Sequence, residues 1–517
     1  MRLSGWIALA LLAGLNDATG SESALSLFPS GGEANYSTDE RIYRNLERAV
    51  VRGAPLDLWT NRPVPISIFN RMVAEENDFS NNGRFKRWNE RDWHLFEYRR
   101  DDSSYFQIDP YFTFGMNLNE DQSVIRRKSG IRFHGSIKGD IGYYFRFVDN
   151  TERGNGPYTK RSQLLEDKYG YVGPLMGGDE TYYDATEAYL TYTKDWLNIT
   201  FGKDRVSWGP GRRTNLLLSD SSPSFDQLRL KARPGESVQF TYLIGKLHPT
   251  SNMRGDTLYK TSEGWTRITV AQKWIVAHRL EYTPNASLLI SVSEAVIWGD
   301  RGLDASFLNP LYFLYSAQHD GGDRDNVLLS GDFVARVAPS TLFYGALLID
   351  DLKISKLGKD YVGNKLGFLL GLYAVDLPSK SIDLGVEYVR LEPFVYSHFF
   401  PINRFTNWNS ALGADILPNS DRIELALSYR PTFDLTLNMA VANNRHGTAG
   451  GLVEESLPRA LSQNIGFLDG QRSDWVSLNY SIEWEAFPGG VIEVGRITGQ
   501  KQQIMPDRWY FTIGYRI

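Results

Sequence analysis

The sequence of 517 residues contains no cysteine. This absence excludes disulfide bonds, thiolate metal sites and a lipid-modified N-terminal cysteine. Long runs of one charge are also missing and the formal net charge is only −5, which argues against a nucleic acid as partner. Beyond the N-terminal region, no apolar run is long enough to form a membrane-spanning helix. If the mature protein spans a membrane, it must therefore do so as a closed β-barrel, because only helices and closed barrels satisfy their backbone polar groups in lipid.

The first twenty residues have the pattern of a secretory signal peptide. Arg2 supplies a positive charge, residues 6–15 form a short apolar core, and Ala-Thr-Gly at 18–20 offers a small-residue cleavage site. Polar sequence follows at once, which argues against a buried N-terminal helix. We therefore predict a signal peptide over residues 1–20 and export of the rest of the chain.

From about residue 104 onward, apolar and polar residues alternate with a period of two, as they do in β-strands. Between residues 131 and 147, one face carries aliphatic and aromatic side chains. The other face carries Arg132, Lys138, Tyr144 and Arg146. A turn at Gly139-Asp140 divides this segment into two arms, which is the pattern of a β-hairpin.

The hairpin pattern recurs along the chain. Further turns are predicted at Lys194-Asp195, Pro234-Gly235, Pro284-Asn285, Pro339-Ser340, Pro378-Ser379, Pro431-Thr432 and Pro488-Gly489. Much longer polar segments separate the hairpins, whereas a soluble propeller would have short connections at both ends. Short turns alternating with long loops are typical of an outer-membrane barrel. We therefore predict that residues 104–517 form an all-β transmembrane barrel of about 18 antiparallel strands, with the long loops outside the cell.

Residues 21–103 have the pattern of helices instead. Ser37 and Glu40 form a capping box. Apolar residues then recur at helical spacing: Ile42, Leu46, Ala49 and Val50. Residues 87–100, RWNERDWHLFEYRR, continue the helical pattern. This section precedes the first strand and is expected on the periplasmic side, as a plug, as a docking module for export or assembly machinery, or as a cap at the barrel mouth.

Three segments resemble the Wzi capsule-assembly family. They are GKDRVSWGPGRRTNLLLSDSSPSF at residues 202–225, DASFLNPLYFLY at 304–315, and the block from EYVRLEPF to LSYRP at 387–431. The resemblance implies an outer-membrane barrel with a helical bundle at its periplasmic end. It also implies a lectin that holds capsular polysaccharide at the cell surface, although the identity of the sugar does not carry over.

Glycine and proline dominate the WGPGRR motif in the first of these segments. A phosphate-binding Walker loop needs Gly-Lys-Ser/Thr, but Gly211 is followed by two arginines, so that interpretation fails. Gly209, Pro210 and Gly211 favour a tight turn that few other residues could form. We interpret them, and the Asn309-Pro310 pair of the second segment, as structural motifs, and we predict that the first segment is a structured outer loop.

Five residues are candidates for binding polysaccharide. Trp208 and Trp408 offer indole faces and N–H donors to a sugar ring, although an interfacial aromatic girdle would also explain Trp408. Arg205, Arg212 and Arg213 offer forked donors that suit the carboxylates of an acidic glycan. The same arginines could instead pair with neighbouring aspartates of the chain, so both interpretations stay open.

Neither catalysis nor a cofactor is predicted. The seven histidines are scattered, and no spacing brings Ser, His and Asp together as a catalytic triad. DGGDRDN at residues 320–326 lacks the EF-hand pattern, so we expect a solvated loop and no metal.

The predicted function is therefore non-catalytic: binding and organising capsular or exopolysaccharide at the cell surface. Its expected partners are the surface polysaccharide and the outer-membrane lipid. The alternative is an outer-membrane channel for sugars or other small solutes, because a barrel of about eighteen strands is wide enough for a water-filled lumen.

Overall fold

The computed structural model describes residues 43–64, 94–101, 103–119, 123–154, 180–249, 254–432, 434–457, 464–487, 489–499 and 507–515. The predicted signal peptide, the capping box at Ser37 and the predicted turn residue Pro488 lie outside these ranges. Within them, no helix is long and apolar enough to cross a membrane.

Short helices and many strands alternate along the chain. In chain order they are α1 (Tyr43–Arg52), α2 (Asp57–Thr60), β1 (Asn61–Arg62), β2 (Phe96–Asp101), β3 (Ser104–Leu118), β4 (Ser123–Ile137), β5 (Ile141–Gly154), β6 (Glu180–Lys194), β7 (Leu197–Asp204), β8 (Ser207–Trp208), β9 (Phe225–Ala232), β10 (Val238–Leu247), β11 (Arg254–Lys260), β12 (Thr266–Val270), β13 (Lys273–Asn285), β14 (Leu288–Gly299), α3 (Ala305–Leu308), α4 (Leu314–Asp320), β15 (Asn326–Ala338), β16 (Thr341–Asp351), β17 (Lys365–Val375), β18 (Ile382–Leu391), β19 (Thr406–Asn407), β20 (Ser410–Ala411), β21 (Ser420–Tyr429), β22 (Leu435–Gly447), β23 (Arg472–Phe487), β24 (Gly490–Thr498) and β25 (Arg508–Tyr515).

Eighteen of these strands form one closed antiparallel barrel, which confirms the predicted fold class. The barrel wall comprises all strands except β1, β2, β8, β11, β12, β19 and β20. It closes where β25 pairs with β3, from Trp509 opposite Leu118 to Tyr515 opposite Phe112. Short turns connect the strands at one end of the wall, which we call the short-turn end, and the opposite end is the long-loop end. Two turns differ from prediction. The strand β6 continues through Lys194, so the chain reverses at Asp195-Trp196. The strand β13 continues through Pro284-Asn285, and the chain reverses before Leu288.

The helical prediction for residues 87–100 is wrong where the structure describes its last part. Phe96–Asp101 form β2, which pairs with β3 from Phe96 opposite Ile108 to Asp101 opposite Ser104. Within the described residues, β25 ends opposite Phe112, so no wall strand pairs with the first part of β3 on that side. The edge offers unpaired backbone donors and acceptors that favour an added strand over a helix.

The two faces of the wall differ as predicted. Outward side chains form an apolar band that suits lipid: Phe112, Ile131, Phe147, Leu190, Phe201, Ile290, Val292, Leu347, Leu370, Leu425, Ile482 and Ile513 are all exposed. Arg132, Tyr144 and Arg146 are buried inside the barrel. Lys138 lies in the turn after β4, where it is exposed.

The described N-terminal section, residues 43–64, lies inside the barrel at the short-turn end, and we call it the plug. Its apolar side chains, among them Leu46, Val50 and Trp59, form one buried core with inward residues of the wall. Its arginines pair with wall carboxylates: Arg44 lies 3.1 Å from Glu483, and Arg48 contacts the carboxylates of Asp383 and Asp376. Of the three predicted placements, the described residues therefore support the plug.

Candidate functional site

The segment that carries the WGPGRR motif folds into the lumen. Residues 205–224 connect β7 and β9, which have only eight residues each, whereas β6 has fifteen. The connection therefore begins part-way up the wall and turns inward. There β8 pairs with β1, with Trp208 opposite Asn61. The predicted outer position of this loop is thus wrong, because its backbone completes a small sheet with the plug.

Both glycines of the motif are required by the fold. Gly209 has a φ of +135°, and an added Cβ would lie 2.5 Å from the Asn215 side chain. A Cβ on Gly211 would lie 1.8 Å from the Thr214 carbonyl oxygen. The Gly211 N–H also donates to Asn215 Oδ1 at 2.8 Å. At positions 209 and 211, therefore, only glycine fits this tight turn.

Trp208 and Arg205 are buried by this arrangement. Trp208 is 1 % exposed, and its backbone N–H donates to the Leu218 carbonyl oxygen at 2.9 Å. Arg205 is buried with its guanidinium 3.8 Å from the Glu187 carboxylate. In this conformation both residues hold the loop in place, and a glycan contact for either stays a prediction.

Arg212 joins the loop to the plug. Its Nε lies 3.1 Å from Glu47 of α1, and its guanidinium stacks 3.8 Å from the centroid of the Tyr373 ring. Arg62 of β1 contacts the same Glu47 at 3.1 Å. Burial raises the pKa of Glu47, but the charges of Arg212 and Arg62 outweigh this effect, so the pKa lies below its usual value. Glu47 is therefore a carboxylate at neutral pH and fixes both arginines.

Glu387 of β18 holds the same turn from the wall. Its carboxylate accepts the Arg212 N–H at 2.8 Å, the Arg213 N–H at 3.2 Å and the Tyr344 hydroxyl at 3.0 Å. Sequence reasoning missed Glu387. One signal in the sequence could have indicated it: Glu387 is an acidic residue at an inward position of a strand. A buried carboxylate needs hydrogen-bond or charged partners.

Trp59 of α2 contacts the motif from the side of the plug. Its indole N–H donates to the Pro210 carbonyl oxygen at 2.6 Å. Its ring lies against Tyr344 and Tyr373, with centroid distances of 5.9 and 5.8 Å. The motif is thus held by an aromatic group, a carboxylate from the plug and a carboxylate from the wall.

A second loop, residues 392–419, covers this arrangement from the long-loop end. Tyr396 donates its hydroxyl to the Leu216 carbonyl oxygen at 2.5 Å and accepts from the Ala414 N–H at 3.0 Å. The Ser219 N–H donates to the Leu412 carbonyl oxygen at 2.7 Å. The two loops are therefore joined through buried hydrogen bonds.

Asp415 forms the charged contact between these loops. It accepts two bonds from Arg422, at 2.8 and 3.1 Å, and lies 3.4 Å from Arg213. Burial raises the pKa of Asp415, but the charges of Arg422 and Arg213 lower it by a larger amount. The pKa therefore lies at about 2. The Arg213 side chain is 56 % exposed and that of Asp415 is 23 % exposed, so this contact reaches solvent mainly through Arg213.

Trp408 lies elsewhere on the second loop. Its ring stacks on His248 with a centroid distance of 4.6 Å, and its backbone N–H donates to the His248 carbonyl oxygen at 2.9 Å. Burial and the charge of Lys203 lower the pKa of His248, so the stack is uncharged at neutral pH. Trp408 is half-buried. Among the five candidates, Arg213 and Trp408 therefore present side-chain surface to solvent, while the other three hold the inward loop.

The remaining motifs have local structural roles. Asn309 accepts the Leu311 N–H at 3.0 Å and so shapes the turn at Asn309-Pro310. Each aspartate of residues 320–326 contacts another side chain of the protein: Asp320 contacts Tyr312, Asp323 contacts Gln318 and Asp325 contacts Arg301. Among the described residues, no group of three or more His, Asp or Glu could hold a metal ion.

Comparisons with known proteins agree with the fold. A family model described as capsule assembly protein Wzi matches residues 110–491. A comparison with curated protein sequences found no match. Among solved structures, the chain is similar to Wzi of Escherichia coli, described as a carbohydrate-binding β-barrel involved in group 1 capsule assembly. The identity is 13%, the alignment covers 94% of this chain and 99% of that chain, and the TM-score is 0.57.

Two Pseudomonas aeruginosa proteins, OccK8 (OprE) and OccK5 (OpdH), are less similar. Their TM-scores are 0.44 and 0.43, with 9% and 8% identity. Each alignment covers 80% of this chain and 98% or 97% of the other. Scores this low carry no argument about function. The family model, in contrast, spans well over half of the sequence, and the chain therefore belongs to the Wzi family of capsule assembly proteins.

Proposed function

We propose that this protein binds and organises capsular or exopolysaccharide at the bacterial cell surface without catalysis. Membership of the Wzi family supports this function, as does the fold shared with a barrel described as carbohydrate-binding. The short-turn end would face the periplasm and the long loops the exterior, as in other outer-membrane barrels.

The observation that carries the proposal is the connection between the plug and the two loops. Trp59, Glu47 and Glu387 fix the inward loop, and Tyr396 fixes the covering loop to it. These contacts hold the two loops in one arrangement, so little ordering of these loops is required when a polymer binds. A surface held in this way suits a binding protein better than a gate that must open for each solute.

Arg213 and Trp408 are the proposed glycan contacts. A half-exposed guanidinium can donate two parallel hydrogen bonds to the carboxylate of an acidic sugar. The indole of Trp408 can cover the C–H face of a sugar ring. The other three candidates would act indirectly, by holding the loop that presents Arg213: Trp208, Arg205 and Arg212.

Binding of purified polysaccharide to the detergent-solubilised barrel tests these contacts. We expect Arg213→Ala and Trp408→Ala each to weaken binding several-fold. Matched controls are Arg472→Ala, whose half-exposed guanidinium also pairs with a carboxylate, that of Asp474, and Trp265→Ala, whose ring is exposed on another long loop. If folded Arg213→Ala and Trp408→Ala bind as the controls do, these contacts are wrong.

The same samples test the absence of catalysis. A non-catalytic binder leaves the chain length of the bound polymer unchanged, which size-exclusion chromatography after long incubation can measure. Shortening of the polymer would contradict this part of the proposal.

Conductance in planar bilayers separates binding from transport. With the plug in place we expect no steady open pores. Steady pores whose current falls when sugars are added would instead favour the channel.

A further inference from the structure

The loop between β14 and β15, residues 300–325, lies against the outside of the barrel. Its helices α3 and α4 do not enter the lumen. They bury Phe307, Leu314 and Ala317 against outward residues of the wall. Those wall residues are Tyr242, Ile244, Val276, Val296, Trp298 and Val327. The loop therefore adds a second layer to one side of the wall.

This layer reaches well into the expected depth of the membrane. The Tyr242 hydroxyl donates to the Phe307 carbonyl oxygen at 3.2 Å, and Tyr242 is the fifth residue of β10, which begins at Val238 at the short-turn end. A strand that rises ~3.3 Å per residue at a tilt of about 40° places Tyr242 roughly 10 Å above that end. The apolar band of an outer-membrane barrel is about 25 Å tall. Phe307 is thus at a depth where hydrocarbon surrounds the barrel.

Polar groups of the wall satisfy the backbone of this layer. Glu294 points outward from β14 and accepts the Leu314 N–H at 2.9 Å. The Trp298 indole donates to the Gly302 carbonyl oxygen at 3.1 Å. Glu294 also lies 3.3 Å from His278, and both are buried beneath the loop. Exposing unpaired backbone groups or ionisable side chains to lipid costs free energy. The contacts described above pair these groups within the protein, as a loop immersed in lipid requires.

The outer surface of the layer is apolar. Leu311 is 74 % exposed, and Leu303, Leu308 and Tyr315 are also exposed. Immediately below, Ile290 and Val292 of β14 face outward and are exposed in the lipid-facing band. The apolar surface of the wall therefore continues onto the loop.

The charged residues of the loop lie toward its two ends, and Asp304, at the edge of the apolar middle, pairs with Arg301 at 3.2 Å. Asp300 and Arg301 follow the end of β14, and Asp323 and Arg324 precede the start of β15. At the turn between the helices, Asn309 is exposed, and its side-chain oxygen accepts the Leu311 N–H at 3.0 Å. Polar ends and an apolar middle match the profile from headgroups to acyl chains.

We propose that residues 303–315 form a membrane-immersed face, with Leu308, Leu311 and Tyr315 packed among lipid acyl chains. The Asn309-Pro310 motif would then turn the chain within the membrane. This inference is independent of the proposed polysaccharide binding.

The absence of cysteine allows a direct test in the intact protein. Leu311→Cys is labelled with a fluorophore and reconstituted in phosphatidylcholine vesicles that carry bromine on their acyl chains. Leu347→Cys, outward on β16, is the control for lipid, and Leu357→Cys, exposed in the loop after β16, is the control for water. Leu308→Cys provides a second position if the first variant does not fold, and the heat-dependent gel shift of barrels checks folding.

We expect bromolipid to quench the label at position 311 as strongly as at 347 and several-fold more than at 357, with little quenching by iodide. Strong quenching by iodide at position 311 would show that the loop lies in water and would overturn the proposal. Protection from both quenchers would show a protein partner, such as a second copy of the chain, and would overturn it as well.

Discussion

The inner surface of the barrel has two contrasting halves. On β13–β18, which we call the apolar half, inward side chains such as Ile275, Leu342 and Leu369 are buried in the core shared with the plug. On β22–β25 and β3–β5, the polar half, inward positions include Asn479 and Glu493 as well as Arg132. Asn479 is exposed although it points inward. The inside of a barrel is therefore polar where water or charge remains and resembles a protein core where a folded segment fills it.

Truncation of Trp59 should show the largest difference between the halves. Trp59 is 2 % exposed, and Trp59→Ala removes a buried ring and its bond to Pro210. We expect a loss of about 3–5 kcal/mol in the free energy of unfolding, measured by urea titration in lipid vesicles. Trp475→Ala, at a half-buried inward position of the polar half, is the control and should cost far less. Equal losses would show that the two halves do not differ as described.

Glu387 and Glu424 provide a closer comparison. They lie directly opposite each other on β18 and β21 and both point inward. Glu387→Gln replaces a carboxylate that accepts two backbone N–H groups and a hydroxyl, so we expect a loss of about 2 kcal/mol in the same assay. Glu424, which is only half-buried, should tolerate the change to Gln with little effect. A similar loss in both variants would contradict the assignment of Glu387 as the wall anchor of the motif.

Acid should weaken the contact between the two loops by a smaller amount. The pKa of Asp415 is about 2 in the folded protein, compared with an ordinary value of 3.8. Its contribution is therefore present above pH 4 and is lost as the pH falls toward 2, with a size of about 1–2 kcal/mol. Asp415→Asn should remove this part of the acid dependence, whereas Asp474→Asn, at an exposed position of β23, should not. An unchanged acid profile in Asp415→Asn would contradict the predicted role of Asp415.

The alternation of residues predicts the wall well where the inward face is polar. On β4 and β5, Arg132 and Arg146 alternate with apolar residues, and one face is unambiguous. On β13 the run WIVA at residues 274–277 is apolar on both faces, since Ile275 and Ala277 belong to the inner core and Trp274 and Val276 pack in the outer layer. In this region only the predicted turns indicated where strands begin and end. The turn predicted at Pro284-Asn285 lies two residues further along the chain in the structure.

The positions of the connecting segments could not be predicted, because they depend on contacts between residues far apart in the chain. Arg212 lies inside because Glu47 and Glu387 hold it there, and neither partner is near it in sequence. The position of residues 300–325 outside the wall depends in the same way on Tyr242 and Glu294. The family resemblance indicated which segments mattered but not which side of the wall they occupy.

The most direct test of the central proposal is the distribution of polysaccharide between cells and medium. A deletion strain would be compared with strains that express the wild-type protein or the Arg213→Ala/Trp408→Ala double variant at equal levels in the outer membrane. We predict that the total amount of polysaccharide stays constant in all strains. In the deletion strain the polymer should move from the cells into the medium, and in the double-variant strain most of it should do so. An unchanged distribution in the deletion strain, with impaired growth on particular sugars, would contradict surface attachment and favour the channel.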